Sequence, residues 1–191
     1  MIDYLPAAER LAKPWKNGGG STADVLAEPP GASLEHFDWR VSLASIEGSG
    51  PFSEFKGVDR SLHLISEAPL RLLVDEVCFQ LDRQNPSLRF SGEARVRAET
   101  GGQAHTVLNV MCRRHSFAHA VSLHAFSGSQ QLELSPATTI LFVQSGACRL
   151  AGQDIVLQQY DALRVQDETA ILLQATAPTR LLAIAITLAS L

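Results

Sequence analysis

The chain has 191 residues, 46 % of them hydrophobic and 19 % charged, with a formal net charge of −4. That length suits one generous domain or two small, closely packed ones, and the balance is that of a globular chain rather than a disordered one. No run of Lys and Arg interleaves with aromatics, which argues against a nucleic-acid surface, and the apolar stretch Leu181–Leu191 is about half the length needed to span a bilayer.

At the N-terminus, Met1-Ile2-Asp3-Tyr4 lacks the basic and then apolar pattern of a secretory signal. Cys78, Cys112 and Cys148 are odd in number and form no CxxC pair, so the expected compartment is the reducing cytoplasm. The first distinctive segment is Pro14-Trp15-Lys16-Asn17-Gly18-Gly19-Gly20-Ser21-Thr22. Three consecutive glycines cost backbone entropy and persist where φ must be positive or backbone must approach something closely. The Lys precedes the glycines and no helical pattern follows, so this is neither a P-loop nor a dinucleotide fingerprint. One reading is a contact loop for a small anion, with Trp15 as wall, Lys16 as charge and Asn17 as donor and acceptor. The other is a surface turn whose Trp packs on the core.

From there the apolar segments are short, alternate with period two and are broken by Gly, Pro or Ser. Expected strands are Ser21–Ala27, Trp39–Ile46, Ser61–Ser66, Leu70–Val74, Val77–Leu81, Leu88–Ser91, Ala94–Ala98, Thr106–Cys112, Phe117–Phe126 and Gln131–Leu134. Thr139–Gln144, Ala147–Leu150, Asp154–Leu157, Ala162–Val165, Ala170–Gln174 and Arg180–Leu188 complete them, the last within a buried terminal strand. So many short strands imply an all-β sandwich or barrel. The order and turns of Leu62–Ser66, Leu70–Val74 and Val77–Leu81 echo those of Ile140–Gln144, Cys148–Leu150 and Asp154–Leu157. The second set has a cupin-like cadence, pointing to two stacked cupin-like (RmlC-like) β-barrels, a bicupin, with approximate halves 1–104 and 105–191.

Strand alternation separates Trp39, Val41 and Leu43 from Arg40, Ser42 and Ala44. If the second set faces inward, Arg40 is a buried cation that needs an anionic partner; otherwise it is a solvent-facing charge. The segment Gly50–Arg60, with Phe52, Phe55, Asp59 and Arg60, resembles a pocket lid. Asp59 and Arg60 are either an edge clamp or a solvated pair. Asn109 interrupts an apolar strand and serves either a ligand or neighbouring backbone, and Arg113 and Arg114 add charge at the strand end. His115, His119 and His124 match no metal-ligand spacing, and there is no HxH pair, so neither metal nor cofactor is expected. No nucleophile–base arrangement is legible, and no catalytic residue is assigned.

Three blocks resemble the HutD/Ves family: Pro14–Thr22; Trp39–Ala44 with Gly50–Arg60; and Phe90–Glu93 with Leu108–Arg114. The resemblance spans about residues 3–165, with Lys56 where the family usually shows Pro. It implies a single two-barrel unit over 1–191, without the usual cupin metal motif. It also implies a link to histidine utilisation, in which members modulate the pathway. Carried over, the ligand-binding residues are Trp15, Lys16, Asn17, Arg40, Ser42, Arg60 and Asn109. The expected function is binding of a small carboxylate, such as urocanate or formiminoglutamate. The alternatives are a metal-independent isomerase or hydrolase with His63 or Asp59 as base, and a scaffold working by protein contact. A small anionic ligand is the expected partner, with no nucleic acid and no membrane; a homodimer is left open.

Overall fold

The computed structural model describes residues 1–134 and 137–189. In chain order its strands are β1 (Ile2–Leu5), β2 (Lys13–Pro14), β3 (Gly20–Glu28), β4 (Trp39–Ile46), β5 (Gly50–Pro51), β6 (Val58–Leu64), β7 (Leu70–Val74), β8 (Val77–Leu81) and β9 (Ser87–Ser91). They continue as β10 (Val96–Glu99), β11 (His105–Arg113), β12 (Phe117–Glu133), β13 (Thr138–Ser145), β14 (Cys148–Leu150), β15 (Val156–Leu157), β16 (Ala162–Val165) and β17 (Ala170–Leu188). One short 3₁₀ turn, Ala7–Glu9, is the helical element among the described residues. No helix there is long and apolar enough to cross a membrane. The chain is all-β, as its alternating pattern implies.

Among the described residues the backbone divides into two compact units, one of residues 11–118 and one of residues 1–10 with 119–189. The expected halves, 1–104 and 105–191, part from this division at β11. That strand pairs with β4 on one side and β6 on the other, and a cut before His105 would strip both neighbours of their partner. The N-terminal ten residues group with the later unit because β1 pairs with β16.

In the 11–118 unit, a six-stranded sheet (β2-β3-β4-β11-β6-β9) and a four-stranded sheet (β5-β10-β7-β8) enclose one core. Ala44, Ile46, Leu62, Leu64, Phe90 and Val107 come from the first sheet; Leu70, Leu72, Leu81, Val96 and Ala98 come from the second. The other unit is a seven-stranded sheet, β1-β16-β13-β17-β14-β15 with β12 also on β17. Leu141, Val143, Leu163, Val165, Leu173 and Leu181 belong to its core.

Strands β4, β7, β8 and β16 match the expected strands in both bounds. The chain differs where two expected strands fuse. Phe117–Phe126 and Gln131–Leu134 become β12, and Ala170–Gln174 and Arg180–Leu188 become β17. Gly128 lets β12 continue by taking φ +82°. Pro178 lies between the pairing of β17 with β14, which reaches Gln174, and with β13, which begins at Arg180, so neither of those ladders needs its missing N–H. β17 keeps Leu181, Leu182, Ile184 and Ile186 buried, as expected for Leu181–Leu191, whose last two residues lie outside those described.

Candidate functional site

Register turns the inner face of the six-stranded sheet into rows. Residues opposite one another on adjacent strands share a face, and alternate residues return to it. One row runs Ala27, Arg40, Met111, Arg60, Phe90; the next runs Asp24, Ser42, Asn109, Leu62, Leu88. The third is Thr22, Ala44, Val107, Leu64. The face is therefore polar at one end and apolar beyond it. Ala44, Leu62 and Val107 lie in the core, which identifies this as the inward side of the sheet. Arg40 and Arg60 flank Met111 on strands about 10 Å apart.

Arg60 is the centre of the polar end. It is 6 % exposed, its Nη1 donates to the Ser53 carbonyl at 3.0 Å, and its Nη2 donates to Asn109 Oδ1 at 3.2 Å. Its Nε–H has no hydrogen-bond partner among the described residues, and no carboxylate there forms an ion pair with it. Three aromatic rings hold the guanidinium instead: Phe90 at 5.1 Å, Phe55 at 5.3 Å and Phe52 at 5.7 Å from ring centre to Cζ. Cation–π contact compensates a desolvated guanidinium only in part. Burial, and then the neighbouring charge of Arg40, pull the Arg60 pKa down to about 10.

Arg40 differs. Its side chain is 12 % exposed, and its Nε donates to Asp24 Oδ1 at 2.5 Å. Of the two alternatives left open for Arg40, the inward one holds, and its anionic partner is internal. A bulge in β3 at Val25 makes this geometry: Asp24 pairs with Ser42 and Ala27 with Arg40, so two inward residues stand three positions apart. Such a bulge re-aims a side chain, here the Asp24 carboxylate toward Arg40.

The Gly50–Arg60 segment is fastened from outside. Phe52 N–H donates to Val96 O and Phe55 N–H to Gly92 O. Glu93 accepts from Gly57 N–H at 2.6 Å and pairs with Arg114 at 2.7 Å, while Arg114 also pairs with Asp59 at 2.9 Å. These donors hold the Glu93 carboxyl well below the usual range, Arg114 contributing most. Arg113 donates to the carbonyls of Phe37, Lys56 and Glu35. Arg113 and Arg114 are thus loop clamps rather than a free positive patch. Asp59 pairs with Arg89 and Arg114, not with Arg60. By alternation Asp59 and His63 lie on the face of β6 opposite Arg60, so neither is placed to act as base on an acid held by Arg60.

A family model described as HutD matches residues 7–183. The chain belongs to the HutD family. An uncharacterised 21.2 kDa protein of the hutC 3′ region in Pseudomonas putida is 32 % identical over 175 residues, 90 % of each chain. Protein Ves of Citrobacter koseri is 35 % identical over 115 residues, 59 % of each. Among solved structures, HutD from Pseudomonas fluorescens SBW25 superposes with a TM-score of 0.81 at 27 % identity, over the full length of both chains. A cupin 2 conserved barrel domain protein from Leptotrichia buccalis gives 0.61 at 10 % identity, over 93 % of this chain and 92 % of its own, and speaks for the fold alone.

In this HutD chain four expected site residues, Arg40, Ser42, Arg60 and Asn109, share the polar end of one face. Trp15 borders the same core and meets Phe52 edge-on at 6.4 Å, and its Nε1–H donates to Thr22 at 2.7 Å. Lys16 and Asn17 sit on an exposed hairpin tip. Trp15 N–H donates to Gly20 O, Gly18 takes φ +70°, and Asn17 Oδ1 accepts from Gly19 N–H, so the tip has the architecture of a tight turn. Asp24 and the three-Phe cage escaped the sequence reading. The Phe-rich lid segment was visible, but the bulge that brings Asp24 inward has no simple period. Among the described residues no three His, Cys, Asp or Glu side chains gather as metal ligands.

Proposed function

We propose that this HutD-family protein binds a small carboxylate at the polar end of the 11–118 unit and thereby modulates histidine utilisation in the cytoplasm. On this reading it senses a breakdown intermediate such as urocanate or formiminoglutamate. The observation that supports it is Arg60: a buried guanidinium with an unused Nε–H and no carboxylate partner among the described residues. A charge kept in that state is costly to the fold, and an incoming carboxylate relieves the cost through short charge-assisted hydrogen bonds. Arg40, Ser42 and Asn109 would orient the acid, Trp15 and Phe52 would wall it, and Lys16 and Asn17 would approach from the hairpin tip. The link to histidine utilisation rests on the relative of the hutC 3′ region. We also read each unit as one cupin-like barrel, so that the chain is a bicupin.

A thermal-shift screen against small carboxylates, including the acids of histidine breakdown, tests the reading. A ligand at about a hundred times its Kd adds about 2.7 kcal/mol, which raises Tm by roughly 5–10 °C for a chain of this size. A selective rise that Arg60→Met abolishes is the expected result. Equal shifts in both proteins, or none with any acid, would remove the carboxylate site.

A further inference from the structure

We infer that Asp24 limits this site to acids bearing a single carboxylate, so that monocarboxylates such as urocanate are its ligand class and dicarboxylates, formiminoglutamate among them, are rejected. The inference rests on the carboxylate reading above and deepens it. Within the two polar rows the ionic groups are Arg40, Arg60 and Asp24. Asp24 neutralises Arg40 at 2.5 Å, which leaves one uncompensated cation, Arg60. A monoanion brings the cluster to neutrality. A dianion leaves an excess negative charge beside aromatic and aliphatic walls, where charge is poorly solvated.

Asp24 also acts by position. Its carboxylate is 41 % exposed, at the outer strand of the row that ends inward at Asn109 and Leu62. A second carboxylate approaching Arg40 meets Asp24 already bound there and is repelled by it. The β3 bulge has the same consequence, since it puts a fixed internal anion on one of the two arginines and leaves the other unmatched. A site built for two carboxylates would leave both guanidiniums open.

The test uses crotonate and fumarate, which share a planar four-carbon skeleton and differ by a methyl in place of a carboxylate. Affinities are measured by titration calorimetry at pH 7.5, where every carboxyl is ionised. The intact chain is compared with Asp24→Asn, Arg40→Gln, their combination and Arg60→Met. The intact protein should favour crotonate at least tenfold. Asp24→Asn should shrink or reverse that ratio by about tenfold. The double variant, which restores a single net positive charge, should return the preference for crotonate. Recovery in the double variant separates charge counting from loss of shape, because it removes more native contacts than Asp24→Asn does. Fumarate binding as well as crotonate to the intact protein, or an unchanged ratio in Asp24→Asn, overturns the charge limit and leaves the carboxylate site standing. Failure of every acid to bind in a way that Arg60→Met abolishes overturns both.

Discussion

The two units make opposite use of a similar inner surface. In the later unit, Tyr4, Leu163, Leu141 and Ala183 form one inward row, and Ile2, Val165, Thr139 and Ala185 form the next. No charged side chain occupies those rows, and the core around them is aliphatic. In the 11–118 unit the two rows at one end hold two arginines, a carboxylate and an amide. The first pair of rows buries aliphatic side chains and one hydroxyl, that of Thr139, and the other pair buries charge at a cost. On the proposed function the first surface serves stability and the second recognition, since a buried cation is weak evidence for stability.

Substitutions on the two faces should therefore separate stability from binding. Leu163→Ala, in the aliphatic rows, should cost about 2–5 kcal/mol in denaturant unfolding and leave acid affinity within about twofold. Arg60→Met should do the reverse, losing about 2–3 kcal/mol of binding, roughly 30- to 150-fold. Its stability should stay level or rise by about 1–2 kcal/mol. Parallel losses in both variants would erase the distinction. Gly92→Ala comes next. An added Cβ would overlap the Phe55 carbonyl oxygen and lie 2.8 Å from that of Val58, so the lid segment must move. Stability should fall by about 1–3 kcal/mol, and acid binding should weaken with it.

The pH dependence sharpens the same contrast. Arg60 loses its proton in the fold near pH 10, before the unfolded chain does. Between that pH and the ordinary arginine range the unfolded chain holds more protons, so this group's contribution to stability rises with pH. Carboxylate affinity runs the other way and should fall as pH passes about 10, and titrations at pH 8, 9 and 10.5 would reveal it. The smallest effect concerns thiols. Burial pushes Cys112 up to about 12 and Cys148 up to about 11, while Cys78 is exposed. Native protein should consume one equivalent of a thiol reagent rapidly, and unfolded protein three.

Much of the fold was legible because half-buried strands announce themselves by alternation. β4, β7, β8 and β16 fell where the pattern put them. Two-residue β2 and β5 carry no period, and they exist because β3 and β10 offer edges to pair with. The long β12 and β17 read as pairs of strands, since Gly128 and Pro178 look like breaks until the ladder is seen to tolerate them. Alternation set Arg40 and Ser42 on one face and left Asn109 as a polar break in an apolar strand, whereas Arg60, just before the expected strand Ser61–Ser66, read as part of a loop and joined the candidates only through the family resemblance. Asp24 was not, because a bulge at Val25 resets the parity that sequence reading relies on. Arg113 and Arg114 looked like free charge because the carbonyls and carboxylates that engage them come from distant loops.

The most direct test watches the Arg60 side chain itself. Arginine Nε–H resonances can be followed in a ¹⁵N spectrum, with the Arg60 signal assigned by its absence in Arg60→Met. On titration with crotonate at pH 7.5 the account predicts that this signal shifts and saturates, as an unpartnered N–H gains a carboxylate acceptor. A signal that stays fixed while crotonate saturates the protein elsewhere would contradict it.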